Sequence, residues 1–209
     1  IVEGTLSNLD VLMHQQKLPD AKLLGSNITT AHDQVLYLAK MVNDLSTLSR
    51  AERGVADSPE QIDVEDLLHT MHQRYEKEAE ANKLHLNLDL GARLGTVNVS
   101  RLYLEELLQN FITNAIKYTH QGSVTIIAKR TKGIVRFTVS DTGIGISRSD
   151  QNKVFNKFYR SEDYRIRETN GTGLGLYVST KLAHKLHTQI ELKSRINHGS
   201  SFSFELPVE

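Results

Sequence analysis

Cysteine is absent from this 209-residue chain, proline occurs three times, and no charge of either sign is in excess, 25 Lys and Arg standing against 25 Asp and Glu. Without cysteine there is no disulfide framework, no thiolate nucleophile and no thiolate zinc site, and a reducing, cytosolic compartment is the expectation. A charge balance of zero gives no global field to attract a nucleic-acid backbone or an anionic membrane, so neither is an expected partner. Functional electrostatics must therefore be local. No apolar run approaches the roughly 18 residues that span a bilayer. The opening Ile1-Val2-Glu3-Gly4 has neither an initiator Met nor a signal-peptide layout, so the chain reads as part of something longer.

What is present first is helical spacing. Leu24, Ile28, Ala31, Val35, Leu38, Val42 and Leu45 recur at alternating steps of four and three, the seam of a coiled coil or helical bundle. Val2, Leu6, Leu9 and Met13 repeat the spacing before an interruption at Leu18-Pro19-Asp20, so the segment reads as a helical hairpin. So narrow a seam cannot close a core alone, and a homodimeric four-helix bundle is the simplest way to cover it. A polar stretch from Ala51 to Ile62, broken by Gly54 and Pro59, reads as linker.

Beyond residue 62 the pattern becomes mixed. Helical signals cover roughly 63–81, 100–118 and 174–187. Period-two alternation appears at Leu84/Leu86/Leu88/Leu90, Val124/Ile126/Ala128, Val135/Phe137/Val139, Ile190/Leu192 and Phe202/Phe204/Leu206. The expected class is α+β: a two-layer α/β sandwich, with a mixed sheet of about five strands covered by about three helices, preceded by the hairpin. The expected division is a hairpin over 1–55, a linker over 56–62 and a domain over 63–209.

Three segments carry polar groups in patterns that suggest chemistry. On a helix Asn110, Asn114, Lys117 and Tyr118 share one face amid an apolar stripe. They read either as polar residues satisfied at a helix surface, or as a hard-cation and phosphate site in which an amide oxygen suits Mg²⁺ and Lys suits a phosphate. Asp141-Thr142-Gly143-Ile144-Gly145-Ile146 follows a strand, and is either a simple turn or a carboxylate placed to accept from the amino group of a flat ligand. Gly171-Thr172-Gly173-Leu174-Gly175-Leu176 opens a helix and offers backbone N–H groups to an anion. A Rossmann reading of these glycines fails, because the polar stretch Tyr159–Asn170, not a strand, precedes them. That stretch has the look of a lid.

The order of these segments, with the Phe-containing Val154–Arg160 between them and Gly199-Ser200-Ser201-Phe202 at the end, resembles the catalytic ATP-binding domain of sensor histidine kinases. That domain belongs to the ATPase superfamily shared with gyrase B, Hsp90 and MutL. Residues 107–119 resemble the N box, 141–146 the G1 box, 154–160 the F box and 171–176 the G2 box. The resemblance implies that Asn114 coordinates Mg²⁺, with Asn110 in support and Lys117 and Tyr118 lining the phosphate and ribose side. It implies that Asp141 accepts from the adenine amino group, with Gly143 and Gly145 giving clearance beneath the ring. Gly171, Thr172, Gly173, Leu174 and Gly175 would close over the phosphates, while Phe155, Phe158 and Arg160 mark the start of the lid. ATP and Mg²⁺ are the implied cofactors.

Seam-bearing helices ahead of such a domain are similar to the dimerisation and phosphoacceptor hairpin of histidine kinases. That likeness implies γ-phosphoryl transfer from ATP to a histidine, relay to an aspartate of a response-regulator receiver domain, a homodimer, and a cytoplasmic kinase part anchored in a membrane only through upstream segments. None of the nine His fits the acceptor motif. His32-Asp33 lacks the following Thr-Pro and sits on the second helix, so the acceptor is expected upstream of Ile1 and self-phosphorylation of this chain is not expected. Two other readings are a conformational ATPase, using Glu105 or Glu106 as a base, and a non-catalytic nucleotide-binding or dimerisation module. His69/His72 and His184/His187 have zinc-compatible spacing, but with no further ligand nearby they read as surface histidines.

Overall fold

A computed structural model describes residues 21–53, 58–163, 165 and 171–208. The first element, α1 (Ala21–Arg53), is a helix of 33 residues, about 50 Å long at 1.5 Å per residue. Its seam lies in the open: Ile28, Val35, Leu38 and Val42 are 50–63% exposed. The opposite side turns inward near the C-terminal end, where Leu48 is buried and Met41 packs beside it. The first helix of the expected hairpin, its break at Leu18-Pro19-Asp20 and Gly54 of the linker lie outside the described residues.

The stretch read as linker corrects itself at Pro59. Glu60–Asp63 forms β1, paired antiparallel with β3 (Thr96–Val99), and Ile62 faces Val97 with both side chains fully buried. Only one residue of each four-residue strand points into the core, too little to produce a visible alternation.

Asp63 then caps α2 (Val64–Ala81), its side chain accepting from the Asp66 N–H at 3.0 Å. Glu65 and Asp66 in the first turn suit the positive end of the helix. Val64, Leu67, Leu68, Met71, Tyr75 and Ala79 form its buried stripe. The helix α3 (Arg101–Lys117) begins at Ser100, whose hydroxyl accepts from the Tyr103 N–H. It buries Leu104, Leu107, Leu108, Phe111 and Ile112. The last long helix is α5 (Gly175–Lys185), and a short turn, α4 (Arg148–Gln151), precedes it.

These helices cover one face of a five-stranded sheet whose order is β2 (Leu84–Leu90), β4 (Gly122–Thr131), β5 (Ile134–Asp141), β7 (Ser200–Pro207) and β6 (Glu191–Ser194). The β2–β4 pair is parallel and the others are antiparallel. Phe137 and Phe204 are register partners with ring centroids 4.9 Å apart. From α3, Phe111 stacks on Phe202 at 5.2 Å. This aromatic group ties α3 to the strands at the centre of the core. The other face is polar, with Lys129 paired to Asp89 and Arg136 to Glu191 and Glu205. The consequence for function is placement. Asp141 at the end of β5, the C-terminal half of α3 and the first residues of α5 converge on one cavity.

Candidate active site

The cavity has a volume of about 1090 Å³, the scale of a site for a large organic ligand. Asn110, Asn114, Lys117 and Tyr118 reach it from α3, as their shared helical face predicts. Asn110 is 6% exposed, so its amide is committed to this polar wall. The Lys117 ammonium sits over the Tyr118 ring, 4.9 Å from its centroid. It also lies 2.7 Å from where a Cβ on Gly171 would stand, so the glycine loop and the lysine meet at one end of the cavity.

Asp141 lines the same cavity from the end of β5. Its Oδ1 accepts from the Gly143 N–H at 2.8 Å and from the Ser200 N–H at 3.2 Å, which fixes the carboxylate plane. Burial pushes its pKa above the ordinary carboxylate value, and the two backbone N–H groups oppose that shift without cancelling it. A desolvated, oriented carboxylate of this kind is an acceptor suited to an amino group.

Gly143 and Gly145 both stand against neighbouring backbone. A Cβ on Gly143 would stand 2.3 Å from the Tyr118 carbonyl oxygen. One on Gly145, where φ is +68°, would stand 2.1 Å from the Arg195 carbonyl oxygen. The neighbouring backbone passes against the 141–146 turn, so neither position has room for a side chain.

Among the expected residues, Asn110, Asn114, Lys117, Tyr118, Asp141, Gly145, Arg160, Gly171, Thr172, Gly173 and Gly175 line the cavity. Leu174 does not, being fully buried in the core, and Phe155 packs edge-on to Phe202. Phe158, 57% exposed, stands at the surface with its N–H bonded to the Gly173 carbonyl. None of these three lines the cavity.

Several lining residues had no signal in the sequence. Asp150 of α4 accepts from the Ser161 hydroxyl at 2.6 Å and the Tyr159 hydroxyl at 2.9 Å, which pins the start of the expected lid. The Ser161 bond is the main reason its carboxyl lies below the usual pKa. Lys40 of α1 also lines the cavity. One turn further on, Asp44 accepts from the Thr172 hydroxyl at 2.9 Å, and Thr172 Oγ1 in turn accepts from the Leu174 N–H. Glu106 lies near Arg50, Lys40 and Asp44, and burial raises its pKa. His72 Nε2 contacts the Leu86 carbonyl at 2.9 Å, and among the described residues no group of three or more His, Asp and Glu could hold a metal.

A two-layer sandwich with an Asn-bearing helix, a strand-end aspartate and a glycine-rich helix start defines a class of nucleotide-binding ATPase domain. Residues 100–209 match the family described as histidine kinase-, DNA gyrase B-, and HSP90-like ATPase. The chain belongs to that family. Among relatives, it is 32% identical over 191 residues to Sensor histidine kinase RppB of Synechocystis sp., covering 88% of this chain and 41% of that protein. Among solved structures it resembles the Acinetobacter baumannii histidine kinase AdeS, with TM-score 0.75, 25% identity, and coverage of 100% of this chain and 93% of that one. It also resembles full-length ShkA in complex with AMPPNP, with TM-score 0.73, 26% identity, and coverage of 94% and 41%. The chain thus spans under half the length of the relative RppB.

Proposed function

We propose that this chain is the kinase portion of a two-component sensor histidine kinase. It binds Mg²⁺·ATP and delivers the γ-phosphoryl group to a histidine, for relay to an aspartate of a response-regulator receiver domain. The observation that carries the reading is the joining of two parts: a nucleotide-type cavity and, seated against its glycine-rich end, a long helix with an exposed apolar seam. Kinases of histidine need both, a domain that holds ATP and a helical bundle to which the phosphoryl group goes.

In this reading the adenine amino group donates to Asp141 and the phosphates lie towards Gly171–Gly175. There the backbone N–H groups at the start of α5 and the Lys117 ammonium offset their charge. The residues fit a hard cation: Asn114, with Asn110 in support, lines the cavity and would offer an amide oxygen to Mg²⁺. Bound Mg²⁺ supplies charge neutralisation. Phosphoryl transfer has a loose transition state and demands mainly positioning and charge stabilisation, which is what this inventory offers.

The exposed Ile28, Val35, Leu38 and Val42 are the surface for a second copy, giving a homodimeric bundle. The functional division places the bundle part within 1–55, and the nucleotide domain runs from β1 onward. No helix among the described residues is long and apolar enough to cross a membrane. The cytoplasm is proposed for this kinase portion because the ATP and the receiver domain it would serve are found there.

A conformational ATPase would use Glu106 as its base. Glu106 is not among the residues that line the cavity, which favours the kinase reading. The test is labelling of the full-length protein with γ-labelled ATP. Acid-labile, alkali-stable label that vanishes in Asn114→Ala supports the reading, and hydrolysis without protein label contradicts it.

A further inference from the structure

We propose that Lys40, on the dimerisation helix α1, contacts the terminal phosphate of the bound nucleotide and makes the site prefer triphosphate to diphosphate. The inference rests on the nucleotide reading above and adds a residue from outside the ATP-binding domain.

Three observations lead to it. First, Lys40 is the one residue of α1 that lines the cavity among the described residues, together with Asn114, Lys117, Gly171, Thr172 and Gly173. Of those companions, the Lys117 ammonium lies 2.7 Å from where a Cβ on Gly171 would stand, so lysine and glycine loop meet where the phosphates are proposed to lie. Second, Lys40 stands beside an anchored carboxylate. Asp44, one turn along the helix and 5% exposed, divides its carboxylate between two partners: Oδ2 accepts from the Thr172 hydroxyl at 2.9 Å, and Oδ1 lies 3.8 Å from the Lys40 ammonium. Through Asp44 the lysine is registered against the glycine loop, and through Thr172 Oγ1 against the Leu174 N–H just before α5. Third, the Lys40 side chain is 50% exposed, so its flexible stem retains room to turn towards a ligand. A compact ammonium on such a stem is suited to a phosphate as a point charge.

The chemistry then separates nucleotides by their last group. Adenine, ribose and the inner phosphates are bound by Asp141, Lys117 and the start of α5, in ATP and ADP alike. The terminal phosphate is the part that would extend towards α1. A cation positioned there adds attraction for ATP alone. It also makes the seating of α1 respond to whether that phosphate is present.

The test is calorimetric titration of the chain with AMPPNP and with ADP, both with Mg²⁺. The proteins are wild type, Lys40→Gln, Lys40→Arg, and Lys193→Gln as a surface control, Lys193 being 75% exposed on β6. Lys40→Gln is expected to weaken AMPPNP about tenfold, the size of one modest charge contact, and to leave ADP within about twofold. Lys40→Arg should retain the wild-type ratio, and Lys193→Gln should not change it. If the wild type binds both ligands and Lys40→Gln leaves their ratio unchanged, the proposal is overturned while the nucleotide reading stands. If the folded wild type binds neither, both fall together.

Discussion

Asp44 and Thr172, 128 positions apart in sequence, share a buried hydrogen bond of 2.9 Å that fastens the long helix to the glycine loop. Asp44 is 5% and Thr172 6% exposed, so neither water nor another side chain readily replaces the partner. Removing the hydroxyl with Thr172→Val leaves a buried carboxylate short of a donor, at a cost of about 1–3 kcal/mol. Thr172→Ser should restore most of it. Hydrogen exchange of α1 amides near residues 41–48 would report the loosening, and unchanged protection in Thr172→Val would contradict the contact.

Asp141 gives a pH signature. Burial raises its pKa in the folded state, so the folded protein takes up this proton at higher pH than the unfolded chain does. The charged carboxylate therefore costs stability above the folded pKa, and that cost is relieved as pH falls through it. Nucleotide affinity runs the opposite way, because the carboxylate is the better acceptor. Titrations at falling pH should show ATP affinity declining at a pH above the ordinary aspartate range. Asp141→Asn should weaken binding about ten- to hundredfold and level the profile.

Asp150 behaves with the opposite sign. The Ser161 hydroxyl, followed by that of Tyr159, holds its carboxyl below the usual value. Its contribution is present above the unfolded pKa and disappears as pH falls through the folded one. Ser161→Ala should free the start of the lid, read as faster proteolysis or hydrogen exchange around residues 159–163, with little change in global melting.

Phe111 links core to site. It stacks on Phe202 and tilts against Phe204, one position after Asn110 on the same helix. Phe111→Ala should cost about 3–5 kcal/mol in denaturant unfolding and weaken nucleotide binding through displacement of Asn110 and Asn114. Phe111→Leu should cost less in both measurements.

How much of this was legible in the sequence follows from the range of each contact. Strands such as Val135/Phe137/Val139 and Phe202/Phe204/Leu206 bury every second residue, and that period is written locally. The face shared by Asn110, Asn114 and Lys117 is local as well, because a helix fixes it. β1 and β3 left no trace, since Ile62 and Val97 are single inward residues in short polar strands. Ile62→Ala should nevertheless cost about 2–5 kcal/mol, as for any fully buried aliphatic side chain. Leu174 sits inside a glycine motif yet is fully buried in the core, and Phe155 packs against that core, because a motif read as a string does not say which way each side chain points. Lys40 and Asp44 could not be found by spacing at all, for their role depends on α1 folding back onto a loop far along the chain.

The central claim is that this cavity holds ATP through Asp141 and the Asn114 face. Calorimetric titration of the folded chain with ATP, with and without Mg²⁺, tests it most directly when run beside Asp141→Ala. The account predicts saturable one-site binding that Mg²⁺ modifies and that Asp141→Ala abolishes. A well-folded chain that takes up no ATP, or an Asp141→Ala variant that binds as the wild type does, would contradict it.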